Sequence, residues 1–430
     1  MPSDAVRISG HIIDTGQLAR VLDIILEHDA DYEIAHIEVG KRRADESEAT
    51  LVVTADSEQA LEGTLASISK FGASTVQASD ARTVLADLDG CFPAGFYSTT
   101  NLRTQVRVNG RWLDVARPEM DCGIRMVEEP ASARPETIPM LDVRAGDRIV
   151  VGFEGVRVLP ERSLPAPGQP RQTFTFMSSQ VSSEKPQRLL VRRVAEGMRA
   201  CRARGAKICW VAGPALVHTG SVPAAVALVR DGWVQILFAG NALPTHDIEA
   251  NLHGTSLGIS QTRGVPTESG HSNHIRAINT VRRAGSIAEA VERNVVTGGL
   301  MHACSRQGVE LVLAGSVRDD GPLPDVLVDV VAAQTAMRRR IPEIGFCLVL
   351  CTMLHGIAAG NLLPADVPLV CVDINPAMVT KLADRGSAQA LGVVADVGLF
   401  LAVLAEELAP VELREELASA DAHIAHQARR

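Results

Sequence analysis

Five short runs punctuate the second half of the chain: Lys207 to Val211, Val234 to Phe238, Val309 to Leu313, Phe346 to Leu350 and Leu369 to Val372. Several are apolar at every position, as strands buried on both faces must be. Between them lie segments with apolar residues at helical spacing: Arg188 to Arg204, Pro223 to Arg230, Ile287 to Arg306, Val326 to Arg339 and Ala377 to Asp384. Strand and helix in strict alternation predict a parallel sheet with helices on both faces. The reading for residues 186–430 is therefore a doubly wound α/β domain, followed by a terminal helix over Val411 to Arg430.

A chain of 430 residues is too long for one comfortable core. Residues 1–84 read as a separate α+β unit. Val6 to Ile12 alternates as a strand, and Leu18, Val21, Leu22, Ile25 and Leu26 share a helical face. Strands at Glu33 to Val39 and Ala49 to Val53, a helix at Ser57 to Ser69 and a last strand near Thr75 to Ala78 complete a βαββαβ order. That order predicts a ferredoxin-like or ACT-like sandwich. Residues 85–185 read as mostly β. Asn109-Gly110 sits at the turn of a hairpin from Val106 to Trp112, Ile149 to Leu159 repeats the pattern around Glu154-Gly155, and prolines from Leu159 to Pro170 mark a loop.

The formal charge is −9 and aromatic residues make up 3% of the chain. Neither a basic stripe nor a stacking surface for nucleic acid is visible. No apolar stretch is long enough to span a bilayer, and the opening MPSDAVRISG lacks the layout of a secretory leader. The expectation is a cytoplasmic protein that binds neither nucleic acid nor membrane, with its eight cysteines as reduced thiols. No C-x-x-C pair occurs, so no metal is expected. Cys122, without a neighbouring base, reads as a packed thiol.

In an open parallel sheet, ligands bind beyond the carboxyl ends of the strands. The five runs are followed there by Ala212-Gly213-Pro214, Ala239 to Glu249, Ala314 to Gly321, Cys351 to His355 and Asp373 to Pro376. Glycines, amides, acids and histidines therefore collect at one rim. Asp373 has the position of the acid that accepts hydrogen bonds from an adenosine ribose, a place that favours NAD over NADP. Helix capping is the competing role, with Asn375 as rival. No G-x-G-x-x-G follows any strand, so a pyrophosphate would rest on backbone N–H groups near Thr352-Met353-Leu354-His355, where a helix begins. His246 and Glu249 share a helical face, with Asp247 between them; these carboxylates either hold a substrate ammonium, move protons, or cap helices. His271, His274 and Arg276 form a second polar group, in which Arg276 suits a substrate carboxylate. Of Asp319 and Asp320, at most one faces the site.

These residues carry a resemblance. Phe96 to Asn101, Phe176 to Ser179, Gly240 to Leu243, His246 to Glu249, Leu313 to Pro324, Thr352 to Asn361 and Cys371 to Pro376 resemble the archaeal-type ornithine cyclodeaminases. That family was first named for a LOR/SDH bifunctional enzyme conserved region, and it includes the C-terminal half of cyanobacterial arginine dihydrolase/ornithine cyclodeaminase fusions. The likeness covers nearly the whole chain and implies an NAD-binding domain similar to that of deoxyhypusine synthase. It further implies conversion of L-ornithine to L-proline and ammonia, within arginine, ornithine and proline metabolism, by a homo-oligomeric lyase. NAD would take hydride from the α-carbon, the δ-amine would displace ammonia, and the hydride would return. By resemblance the cofactor is held by Asn241, Ala242, Asp320, Thr352, Met353, Leu354, His355, Asp373, Asp396 and Val397. Catalytic candidates assigned by chemistry are Arg276 for the carboxylate, Asp247 or Glu249 for the δ-ammonium, and His246 or His274 for proton transfer. The alternatives are an NAD-dependent dehydrogenase or lyase acting on another basic amino acid, and a non-catalytic amino-acid sensor.

Overall fold

A computed structural model describes residues 1–13, 16–42, 45–69, 71–75, 79–128, 133–159, 187–261, 264–267, 270–319, 321–384 and 390–408. The proline-rich loop after Leu159, the Phe176 to Ser179 motif, most of the strand near Thr75 to Ala78, Asp320, the side chain of His271 and the helix expected over Val411 to Arg430 lie outside the described residues. The chain separates into two compact units. One comprises Met1–Ser178 with Asn361–Asp366, the other Ser179–Gly360 with Val367–Arg430.

The first unit opens with strands Ser3–Gly10, Asp31–Glu38, Ser47–Thr54 and Ser74–Thr75 and helices Gln17–Glu27 and Glu58–Ser69, in βαββαβ order. The second, third, first and fourth strands lie side by side in that sequence, every pair antiparallel. Val6 and Ile8, opposite Leu51 and Ala49, turn the same face inward as Val53, and the helices close on it with Val21, Ile25, Leu65 and Ile68. Each such side chain contributes roughly 1.5–3 kcal/mol when buried. The later part of this unit holds two small antiparallel sheets. Thr104–Val108 and Arg111–Asp114 form the expected hairpin, and its turn residues Asn109 and Gly110 have φ of 50° and 76°, the left-handed values that a two-residue hairpin turn requires. The second expected hairpin does not form. Arg148–Val151 pairs with Arg82–Leu85, whereas Val156–Val158 pairs with Thr104–Val108 in the other sheet. Gly152 and Gly155, at φ 73° and 67°, turn the chain from one sheet to the next instead of folding it back.

In the second unit seven parallel strands lie in the order Val326–Leu327, Glu310–Ala314, Ile236–Gly240, Lys207–Ala212, Ile344–Leu350, Leu369–Asp373 and Ala390–Val394. The five predicted runs form its centre, where Trp210, Phe238 and Phe346 are fully buried. The two edge strands are additions to the sequence reading. The segment expected as one helix from Val326 starts as an edge strand, and its helix begins only at Val330, capped by Asp329 accepting from the amides of Val331 and Ala332. The single helix expected over Ile287 to Arg306 is two, Ile287–Glu292 and Gly299–Gln307, parted where Asn294 and Gly299 take positive φ. Chain order reverses at the sheet's middle. From Lys207–Ala212 it runs outward to one edge, then resumes on the other side with Ile344–Leu350. That reversal creates the crevice in which open α/β sheets bind ligands.

Candidate functional site: the switch-point crevice and its histidines

The two strands that flank the reversal are followed by Gly213 and Cys351. Gly213 N–H donates to the Leu350 carbonyl at 2.9 Å, and a Cβ built on Gly213 would lie 2.1 Å from the Cys351 carbonyl oxygen. Only glycine fits there. Cys351 itself has φ 44°, a conformation that a non-glycine residue holds at some cost and that is common at functional sites. Burial pushes its thiol up to about 12, so it is no nucleophile at neutral pH.

From this turn the helix Leu354–Leu362 starts, and its first-turn N–H groups have no partner within the helix itself. Gly356 lets it sit close on the sheet, since a Cβ there would meet Val349 Cγ1 at 2.7 Å and Met378 Cε at 2.8 Å. His355 crosses toward the neighbouring strand end, where a Cβ on Gly240 would lie 3.1 Å from its Cε1. Burial lowers the His355 pKa, against an opposing pull from Asp319, and keeps the ring neutral. Two isolated glycines thus shape this corner: Gly213 admits the Cys351 carbonyl and Gly356 seats the helix on the sheet.

Asp373 ends its strand with Oδ1 accepting from the Asn375 amide at 2.8 Å. Asn375 in turn caps the helix Pro376–Asp384 by accepting from Ala377 N at 3.0 Å. Asn375 therefore caps the helix, while Asp373 Oδ1 braces the turn that precedes it. Asp396 caps its own helix through Leu399 N, and Val397 is buried. Asn241 Oδ1 accepts from Leu323 N at 3.0 Å and ties Leu323 to the start of the helix Ala242–His253. Thr352 is partly buried, while Met353 and Leu354 are exposed at the helix start. These residues fit a dinucleotide: a helix N-terminus lies at the sheet's reversal, and an acid, Asp373, ends the next strand.

The helix that starts beside Asn241 carries the acid–base group. Glu249 is fully buried and its carboxylate accepts from His246 Nδ1 and Thr255 Oγ1, both at 2.8 Å, and from the amides of Gly258 and Leu257 at 3.0 and 3.2 Å. Burial would raise its pKa, but these donors together outweigh it and hold the carboxyl below its ordinary value. With Nδ1 engaged by the Glu249 carboxylate, Nε2 is the second ring nitrogen of His246. His274, on the helix Asn273–Ala284, stacks obliquely on His246 with ring centroids 6.4 Å apart.

The remaining candidates sit elsewhere. Asp247 is as buried as Glu249 but points the other way, where its oxygens accept from Leu300 N and Met301 N at 2.8 and 2.7 Å. It caps the helix Gly299–Gln307, and Gly299 leaves it room. Burial raises its pKa to about 6 against those two hydrogen bonds. Each of its oxygens thus takes one N–H at the start of that helix. Arg276, two residues past His274, lies on the exposed side of its helix and outside this group. The sequence reading missed His218, whose ring lies 5.1 Å from that of His246 and whose Nδ1 is 2.6 Å from Ser256 Oγ. The available signal was its place at the same rim, five residues past Gly213. Among the described residues no three histidine, cysteine or acidic side chains are grouped to hold a metal, and no helix is long and apolar enough to cross a membrane.

Fold and site together define a doubly wound α/β protein with a dinucleotide-type crevice and an acid–base cluster at its rim. Comparison with known proteins gives the particular family. Residues 192–404 match the family described as arginine dihydrolase ArgZ-like, C-terminal, Rossmann fold. Residues 103–191 match its C-terminal first region, and residues 3–102 match the LOR/SDH bifunctional enzyme conserved region. The chain is 46% identical to the ornithine cyclodeaminase of Methanothermobacter thermautotrophicus over 95% of its own length and 98% of the relative's. Among solved structures it is similar to apo ArgZ, a cyanobacterial arginine dihydrolase (TM-score 0.82, 36% identity), covering 95% of this chain and 58% of that one. It is also similar to AgrE in ternary complex with ornithine and NAD+ (TM-score 0.51, 39% identity), covering 95% of this chain and 57% of that one. The chain belongs to the ornithine cyclodeaminase family that these proteins share.

Proposed function

We propose that the protein is an NAD-dependent ornithine cyclodeaminase that converts L-ornithine to L-proline and ammonia. The observation that carries the reading is the Glu249–His246 pair at 2.8 Å, on the helix that leaves the crevice at Asn241, in a chain that matches ornithine cyclodeaminases from end to end. When bound, NAD supplies an acceptor for the α-hydrogen of the substrate and a donor that returns it.

The protein's own residues supply the rest. The first turn of Leu354–Leu362 receives the pyrophosphate and Asp373 the adenosine ribose, with Gly213 admitting the Cys351 carbonyl at the turn that precedes this helix. Asn241 holds Leu323 beside the start of its own helix. Glu249 fixes the His246 tautomer and orientation, so that Nε2 takes a proton from a substrate ammonium. Four hydrogen bonds lock Glu249 in place, so the dyad is preorganised. The test is a balance of products. Purified protein given NAD and ornithine is expected to release proline and ammonia in equal amounts with no build-up of absorbance at 340 nm. Steady NADH accumulation would make it a dehydrogenase, and ornithine binding without ammonia would make it a sensor.

A further inference from the structure

We propose that His218, held by Ser256, is the second member of a two-imidazole relay with His246 that moves a proton between the two nitrogens of the substrate. The inference rests on the ornithine reading above. Its ground is geometric. The imidazoles lie with centroids 5.1 Å apart at 60° to each other, and each is fixed from behind by a separate partner, Glu249 for His246 and Ser256 Oγ for His218. His218 keeps an edge open to solvent while its Nδ1 is held by the hydroxyl of the buried Ser256. Its titratable neighbours are His246 and Glu249 on one helix, with His274 on the next facing His246. Burial of its inner side, together with the nearness of His246, lowers the His218 pKa and keeps it a neutral base. Paired groups held in unlike environments are suited to opposite halves of one proton transfer.

The chemistry calls for two such groups. After the δ-amine adds to the α-imine, both nitrogens are bonded to the α-carbon, and the surplus proton is on the incoming one. Transfer straight to the leaving nitrogen would need a strained four-centre path. With two imidazoles, one takes the proton from the ring nitrogen and the other delivers a proton to the α-nitrogen. The bond from α-carbon to α-nitrogen then breaks, its electron pair leaves with ammonia, and the ring nitrogen's lone pair closes the C=N bond. A proton hop between the imidazoles restores the starting state. No electrons are gained or lost in this exchange.

The test compares wild type, His218→Asn and His218→Ala, with NAD and ornithine. Both variants are expected to keep the wild-type melting temperature and ornithine affinity while kcat falls about 10²-fold or more. Added imidazole should restore turnover to His218→Ala. A second readout needs no turnover: in protein labelled with 15N-histidine, His246→Asn should raise the titration midpoint of His218. A His218→Asn enzyme with undiminished kcat, a His218→Ala enzyme deaf to imidazole, or a His218 titration indifferent to His246 would each overturn the relay while leaving the ornithine reading standing. A wild type that makes no proline would overturn the reading itself.

Discussion

The carbonyl oxygen of Cys351 stands 2.1 Å from where a Cβ on Gly213 would have to be, so the two strand ends at the sheet's reversal touch backbone to backbone. Gly213→Ala must push the Cys351–Thr352 turn aside, because the obstacle is a carbonyl and not the tip of a flexible side chain. NAD affinity is expected to fall at least about tenfold, equivalent to ~1.4 kcal/mol, by calorimetry. Gly356→Ala meets only Val349 and Met378 side chains and should cost about 1–3 kcal/mol of stability instead. Equal NAD affinity in wild type and Gly213→Ala would remove the crevice from the account.

Asp373→Ala separates the ribose role from the capping role. Asn375 already caps the following helix, so the variant should melt within a few degrees of wild type. Its NAD affinity should fall about tenfold or more, in line with the loss of charge-assisted hydrogen bonds worth about 1.5–3 kcal/mol. Unchanged calorimetric affinity would refute the ribose assignment.

Glu249→Gln places an amide NH2 among four donors that now point at a carboxylate. kcat is expected to drop about 10²-fold or more as His246 loses its fixed tautomer. Stability should also drop by about 1–3 kcal/mol, from donors left unsatisfied. A Glu249→Gln enzyme of normal kcat would mean that protons move elsewhere.

Asp247 gives a pH signature of its own. Its pKa is raised from 3.8 to about 6 in the folded protein, so folding favours its protonated form. The stability this provides is fully present below pH ~4 and is lost as pH rises through about 6, a swing of about 3 kcal/mol. Asp247→Asn lacks that titration. Urea unfolding from pH 4 to pH 7 should show wild type losing ground to the variant across that window. Parallel curves would show that Asp247 titrates alike in both states. Glu249 works in the opposite sense: its lowered pKa gives stability above the ordinary carboxylate range, lost only as pH falls through the folded value.

How legible these features were in the sequence follows from where their partners lie. The five central strands announced themselves because burial on both faces leaves an unbroken apolar run. The edge strand Val326–Leu327 has two residues, too few for any period to show. Ala390–Val394 is interrupted by Gly392, which is there because a Cβ would lie 1.8 Å from Val379 Cγ1. Asp247 and Glu249 looked interchangeable, since nothing in His-Asp-Ile-Glu says which carboxylate meets an imidazole and which a distant helix end. That depended on Leu300 and Met301, more than 50 residues away. His218 and Ser256 are 38 residues apart, and neither belongs to a motif; only the fold brings them together.

Ornithine carrying deuterium at the α-carbon, turned over with unlabelled NAD in ordinary water, traces the borrowed hydrogen most directly. The account predicts proline that retains the label at its α-carbon, because the hydrogen returns before the cofactor leaves. Proline in which that deuterium has been replaced by hydrogen, from water or from the NADH pool, would contradict it.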